Sequence, residues 1–230
     1  MCGRYAASRR PDDLVVEFEA EDATDHDVLP ADYNVAPTKE VHAVLVRYGV
    51  RQLRVLTWGL VPSWAPDGKD AAKRINARIE TVAQRPAFRS ALRWRRCLIP
   101  ADGWYEWAVA ADRPGRQPYF ITPVDGSLLA FAGLYERRAG LLTCTIVTTT
   151  ATGALASVHD RMPVVVDRAR WASWLDPELV DPPALVAMPP AHLLAGLELR
   201  PVGAEVGNVA NNGPALTAFH AADPAPQTLF

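Results

Sequence analysis

Long apolar runs are missing from this 230-residue chain, so no segment has the length of a bilayer-spanning helix. The start lacks the n-region and h-region pattern of a secretory leader, and a cytoplasmic protein is the expectation. Cysteine is scarce: only Cys2, Cys97 and Cys144 occur, with no CxxC and no Cys/His cluster. That sparse set speaks against a zinc site, and no metal or other cofactor is expected. An excess of positive charge is absent too. The net charge of -2 excludes a generally basic, DNA-coating protein, although not a local basic site. Neither a repeat nor a long linker is visible. With 49% hydrophobic and 22% charged residues, the chain has ordinary globular composition and enough length for a sizeable core.

What is present begins at the second residue. The chain opens Met1-Cys2-Gly3-Arg4-Tyr5. Methionine aminopeptidases remove Met1 when the next side chain is small, as Cys is. The mature terminus would then carry an amine and a thiol on adjacent carbons. Such a 1,2-aminothiol condenses with aldehydes, the amine giving an imine and the thiol closing it to a five-membered thiazolidine. An α-amine has a pKa near ~8, so a useful fraction is neutral at pH 7, unlike a lysine at about 10.4. Cys97 in RCLIP and Cys144 in LLTCTIV sit in apolar, strand-like runs and read as core thiols.

Periodicity divides the chain into helical edges and a β-rich middle. Pro11–Ala20 reads as a short helix with Ser8 as its cap, Asp12 and Asp13 in the first turn, and Leu14, Val15 and Phe18 inward. Val41–Arg47 and Gln52–Trp58 flank Tyr48-Gly49-Val50 as a hairpin. The segment from Trp58 to Pro66 is too rich in Pro and Gly for regular structure. Residues 86–94 suit a helix with Pro86 in its first turn. No acidic residue lies between Thr81 and Ala101, while Arg85, Arg89, Arg93 and Arg96 share one helical face. From Cys97 onward strands dominate: 97–100, 103–109, 119–122, 128–135, 141–149 and 163–166, with turns at Asp125-Gly126 and Ala139-Gly140. Helices follow at 168–175 and 190–196, then a strand at 197–201. The architecture is α+β: a curved antiparallel, barrel-like sheet core with peripheral helices. Residues 1–218 form one domain, and 219–230 are an Ala/Pro-rich tail expected to be poorly ordered.

Four further segments carry chemistry. In Ile75–Thr81 an amide, Asn76, stands near an arginine suited to phosphate, Arg78. In Pro100–Trp107 a carboxylate, Glu106, lies among tryptophans, where poor solvation would raise its pKa. Val158–Pro163 offers His159, Asp160 and Arg161 in succession. Val206–Asn212 is a Gly/Asn-rich loop able to present backbone donors. Each has a plainer reading. Asn76 can cap a turn. Strand alternation alone turns Glu106 to solvent, with Trp104 and Trp107 in the core. His159 can be a satisfied structural histidine, Asp160-Arg161 a surface pair, and Trp58 and Trp64 core packing.

Together, MCGRY, YNVAPT, WGLVPSW, INARIET, RCLIPADGWYEW, IVTTTA, HDRMPVVV and VGNVANN run in order from residue 1 to about 212. In this the chain resembles the SOS-response-associated peptidase family, the abasic-site processing proteins. PPALVAMPP and the tail fall outside the pattern. The resemblance implies a family-type α+β fold and a covalent trap for abasic sites in single-stranded DNA. It assigns Cys2, Asn76, Glu106 and His159 to catalysis: the nucleophile, the group orienting it, and two proton-transfer groups. Arg4, Arg78 and Arg161 would hold phosphates, with Thr148 a weaker contact. Trp58 and Trp64 would meet bases, and Asn34, Pro37 and Asn208 complete the DNA-facing set. Lyase and self-processing peptidase activities are implied beside the crosslink, a monomer is expected, and replication-fork proteins are candidate partners. Nucleoid association would follow.

Overall fold

Two sheets account for most of the regular secondary structure among the described residues. The computed structural model describes residues 2–25, 28–109, 115–179 and 189–220. The strands are β1 (Tyr5–Ala7), β2 (Glu21–Asp22), β3 (Asp32–Val35), β4 (Glu40–Arg47), β5 (Val50–Trp58), β6 (Asn76–Arg78) and β7 (Arg96–Ala101). They continue with β8 (Gly103–Val109), β9 (Arg116–Pro123), β10 (Leu129–Arg138), β11 (Leu141–Thr150), β12 (Arg161–Pro163) and β13 (Leu197–Pro201). The α-helices are α1 (Pro11–Phe18), α2 (Arg89–Trp94), α3 (Trp171–Leu175) and α4 (Ala191–Ala195).

The larger sheet runs β12-β11-β10-β7-β4-β5-β2, with β6 beside β11. It closes on itself where β11 meets β5 in parallel, Thr143 opposite Thr57 and Cys144 opposite Trp58. The smaller sheet runs β13-β9-β8-β1-β3. Two hairpins of the larger sheet turn where the sequence places them. Tyr48 and Gly49 have φ of 54° and 78°, and Ala139 and Gly140 have 48° and 86°. Positive φ at both central residues gives a twist that matches the flanking strands.

Alternation sorts the closed sheet into two faces. Leu45, Leu56, Trp58, Ile99, Phe131 and Ile146 point inward around Tyr5, together with Cys2, Cys97 and Cys144. The outer face, with Val44, Leu53, Leu98 and Val147, is covered by Leu14 and Phe18 of α1, Leu92 of α2, and Trp171 and Trp174 of α3. Phe18 stacks on Trp171 at 4.4 Å between ring centroids.

The corner between β7 and β8 joins the two sheets and fixes the amino-terminal strand. The Asp102 N–H donates to Ala6 O at 2.8 Å, and its carboxylate accepts from Ser8 N–H at 2.6 Å. Ser8 is therefore tied to that corner and does not cap α1, whose N-cap is Arg10, without a side-chain bond. At Gly103 a Cβ would stand 2.5 Å from Ile121 O and 2.6 Å from the Phe120 ring. Gly103→Ala is expected to cost about 1–3 kcal/mol, the range for forcing a group into a packed core, and urea denaturation checks it.

The helix expected at 86–94 is regular only from Arg89, although Arg89 N–H already reaches back to Arg85 O at 3.0 Å. Arg96 leaves that face altogether. It belongs to β7 and is buried, donating to Trp174 O and Leu92 O. Residues 221–230 of the proposed tail, and most of PPALVAMPP, lie outside the described residues. Among the described residues no helix is long and apolar enough to cross a membrane.

Candidate active site

Cys2 enters the mouth of the closed sheet just before β1 and is 0% exposed. Its carbonyl accepts from Asn76 Nδ2 at 2.8 Å. Asn76 is held there because β6 adds in parallel to β11, Ile146 opposite Asn76 and Thr148 opposite Arg78. The Asn76 Oδ1 atom is buried and finds no hydrogen-bond partner among the described residues. A buried acceptor without a donor is costly, and the Cys2 amine or a bound hydroxyl would relieve it.

Glu106 is only 3% exposed. Side chains two apart on a strand share a face, so Glu106 follows Trp104 inward while Tyr105 turns the other way, its hydroxyl donating to Tyr33 O at 2.8 Å. The plain alternation reading, with Glu106 in solvent and Trp104 and Trp107 both in the core, is corrected here. Trp104 and Trp107 differ in parity, and Trp107 packs on the opposite face against the Tyr105 cluster. Burial pushes the Glu106 carboxyl up to about 7. Burial also drives the Cys2 thiol well above its ordinary value, and the Glu106 charge adds to that rise. The thiol and carboxyl therefore act on each other across a poorly solvated space.

His159 follows the short 3₁₀ turn Gly153–Ser157 and is half-buried, which lowers its pKa and favours the neutral ring. In that ring Nδ1 accepts from Arg161 N–H at 2.9 Å, which leaves the proton on Nε2. On protonation Nδ1 donates instead to Asp160 Oδ1, 2.8 Å away. The same Asp160 charge raises the Glu106 pKa, so the HDR segment and the carboxyl share one field.

The remaining residues separate into an open groove and an internal framework. A groove of 430 Å³ is lined by Trp64, Lys73, Arg74, Asn76, Arg78 and Arg85, and reaches the residue that holds Cys2. Trp64 is 63% exposed there. Arg161 is buried in a two-armed pair with Glu80, at 2.8 and 3.0 Å, and also donates to Thr148 O at 2.7 Å. Thr148 is buried beside it. Trp58 lies wholly in the core with Nε1 donating to Ile75 O at 2.9 Å, as its core-packing reading expects. Asn34 is buried as well. Its amide donates to Asn208 O and Asn211 O and accepts from Arg4 Nη1 at 2.7 Å, so Arg4 and Asn34 tie the VGNVANN loop to β1 and β3. Asn208 is exposed and Pro37 is half-buried.

The sequence reading missed the roles of Lys73, Arg74 and Glu80. Glu80 stands two residues past Arg78, and only the fold shows that its partner is Arg161. Among the described residues no three His, Cys, Asp or Glu side chains are grouped as metal ligands.

Comparison with known families identifies the chain. The family described as SOS response associated peptidase (SRAP) matches residues 1–209. The chain belongs to the SRAP family. Among its SRAP relatives, the abasic site processing protein YoqW of Bacillus subtilis is 36% identical over 225 residues, covering 96% of this chain and 100% of that protein. The abasic site processing protein YedK of Escherichia coli is 32% identical, covering 93% and 97%. HMCES of Xenopus tropicalis, also named an abasic site processing protein, is 28% identical, covering 93% and 77%. A crystal structure of a Bacteroides thetaiotaomicron protein has the same fold, with a TM-score of 0.83 at 20% identity, over 95% of this chain and 100% of that one. Abasic-site processing by an SRAP protein, DNA with abasic sites being the substrate, is the function these relatives support.

Proposed function

We propose that the chain crosslinks itself to abasic sites in single-stranded DNA through Cys2 once Met1 is removed. The observation that carries this reading is the confinement of Cys2 with Asn76 and a carboxyl whose pKa stands at about 7. The abasic sugar opens to an aldehyde at C1′. The Cys2 amine adds to that carbon to form a carbinolamine. Glu106 gives a proton to the departing hydroxyl, water leaves, and an imine remains. The thiol adds to the imine carbon while its proton passes to nitrogen, which closes the thiazolidine. The products are one crosslink and one water.

Asn76 holds the terminus in reach, and its buried Oδ1 suits an amine N–H. His159 carries its Nε2 proton toward sugar oxygens and serves reversal of the link. Before the ring closes the imine is an electron sink, so β-elimination is the accompanying lyase reaction. A thiol peptidase acting in trans is disfavoured. Such an enzyme needs a thiolate, and burial pushes this thiol the other way. Self-release of Met1, with Glu106 and His159 moving protons, remains part of the proposal.

Incubation with an abasic oligonucleotide and with its intact counterpart, followed by denaturing electrophoresis, tests the reading. A shifted band only with the abasic strand is expected. Equal retention of both strands, with no band surviving denaturation, would make the chain a plain binding module. Arg78 is exposed, with no ion-pair partner among the described residues. Arg78→Ala is expected to weaken binding to every sequence and to reduce the salt slope by about 0.7, the value for one phosphate contact on a single strand. An effect confined to one base would contradict the phosphate role.

A further inference from the structure

The arginine row entering α2 is not used by the chemistry above, yet it begins inside the groove. Arg85 lines the groove beside Asn76 and Arg78. Arg89 N–H bonds Arg85 O at 3.0 Å and Leu92 N–H bonds Phe88 O at 2.8 Å, so a turn from Arg85 leads directly into α2, which is regular from Arg89. Arg89 and Arg93 stand one turn apart on the exposed face of α2, with Arg85 exposed in the turn just before it, while Ala91 and Leu92 face the core. At 1.5 Å per residue Arg93 stands about 6 Å beyond Arg89 along α2, farther from the groove.

Its charge is uncompensated. Arg9, Arg54, Arg95, Arg161 and Arg168 each lie within 3.4 Å of a carboxylate. Of the groove's own cations, Lys73 lies 2.8 Å and Arg74 3.7 Å from Asp70. Arg85, Arg89 and Arg93 have no carboxylate partner among the described residues. The Arg93 guanidinium rests over the Trp94 ring at 4.7 Å. Three guanidinia left without carboxylates, following one another along the chain from an open groove, suit a phosphodiester backbone.

We propose that Arg85, Arg89 and Arg93 form a second, non-reactive contact for the DNA strand where it continues past the pocket on one side, holding about three phosphates. This rests on the groove being the nucleic-acid site. It adds a length and polarity preference that the reactive residues do not supply.

The test replaces all three with glutamine and measures fluorescence anisotropy on undamaged oligothymidine over a range of salt. The salt slope is expected to fall by about 2, at 0.7 per contact, with binding weakened at least about tenfold at low salt. The corresponding triple lysine variant is expected to keep the slope. On oligonucleotides with a chemically reduced abasic site, lengthening one single-stranded arm tightens the wild type and leaves the glutamine variant unchanged, while the other arm serves both alike. Wild-type slope and arm dependence in a folded glutamine variant would overturn the inference, as would a loss confined to duplex arms. If the glutamine variant misfolds, Arg89→Glu alone gives the same reading, with a reduced slope expected and an unchanged slope contradicting. These measurements use unreactive DNA. A lost slope in a protein that forms no adduct would uphold the row and defeat the crosslinking proposal, and the reverse pattern would do the opposite.

Discussion

Replacing Cys2 with serine is expected to abolish the denaturation-stable adduct while leaving binding to intact single strands unchanged. Serine keeps the amine, so the imine still forms, but oxygen closes only a labile ring in place of the thiazolidine. Borohydride is then expected to trap a covalent species from the serine variant with abasic DNA. The residue is fully buried, and a hydroxyl costs more to bury than a thiol unless it finds a hydrogen-bond partner. Thermal denaturation therefore accompanies the assay, to separate lost chemistry from lost fold. Wild-type adduct yield in the serine variant would remove the thiol from the mechanism.

Glu106→Gln is expected to slow adduct formation by about 10²-fold or more, the usual size of a general acid–base contribution, with DNA affinity unchanged. Its pH dependence is the sharper test. Dehydration needs Glu106 protonated, a fraction that falls above about 7. Addition needs a neutral amine, a fraction that rises toward ~8. Their product is a bell with its maximum between these values. In the glutamine variant the alkaline fall is expected to vanish.

Stability moves in the opposite direction. The folded-state value of about 7 lies above the unfolded one of about 4.3, so the fold gains from binding this proton. That gain is complete below the unfolded value and is lost as the pH rises through 7. Glutamine has no charge to bury. The variant is expected to be more stable than wild type at pH 8, by about 1–3 kcal/mol, with the difference closing toward pH 4. A glutamine variant that is less stable at pH 8 would mean that the charged carboxylate is favoured where it stands, and its acid role would fail with it.

The strands and hairpins were legible because local rules decide them. Tyr48-Gly49 and Ala139-Gly140 carry the turn, and alternation carries the flanks. The sequence predicts a curved, barrel-like sheet but not which strands close it. The β11–β5 contact joins residues far apart in sequence, and no local pattern announces a parallel pair of that kind. Within the site, the motifs make Cys2, Asn76, Glu106 and His159 legible as candidates, and in the fold Asn76 bonds the Cys2 carbonyl while the Glu106 charge acts on the Cys2 thiol. Alternation puts Glu106 on the face of Trp104, but it does not say which tryptophan faces the core, because Trp104 and Trp107, three residues apart, point to opposite faces. Nor was the difference between Trp58, sealed in the core, and Trp64, open to the groove. Both stand in one Pro/Gly-rich segment, where no periodicity tells inside from outside. Arginine alone does not reveal its use either: Arg4 bonds Asn34, Arg161 pairs with Glu80, and Arg78 is left open.

The most direct test is intact mass spectrometry of the purified protein, before and after incubation with an abasic oligonucleotide. A chain lacking its initiator methionine, then a single species equal to protein plus oligonucleotide less one water, is the predicted pair of masses. A terminus that keeps its methionine, or a protein mass unchanged by the abasic strand, would contradict the account.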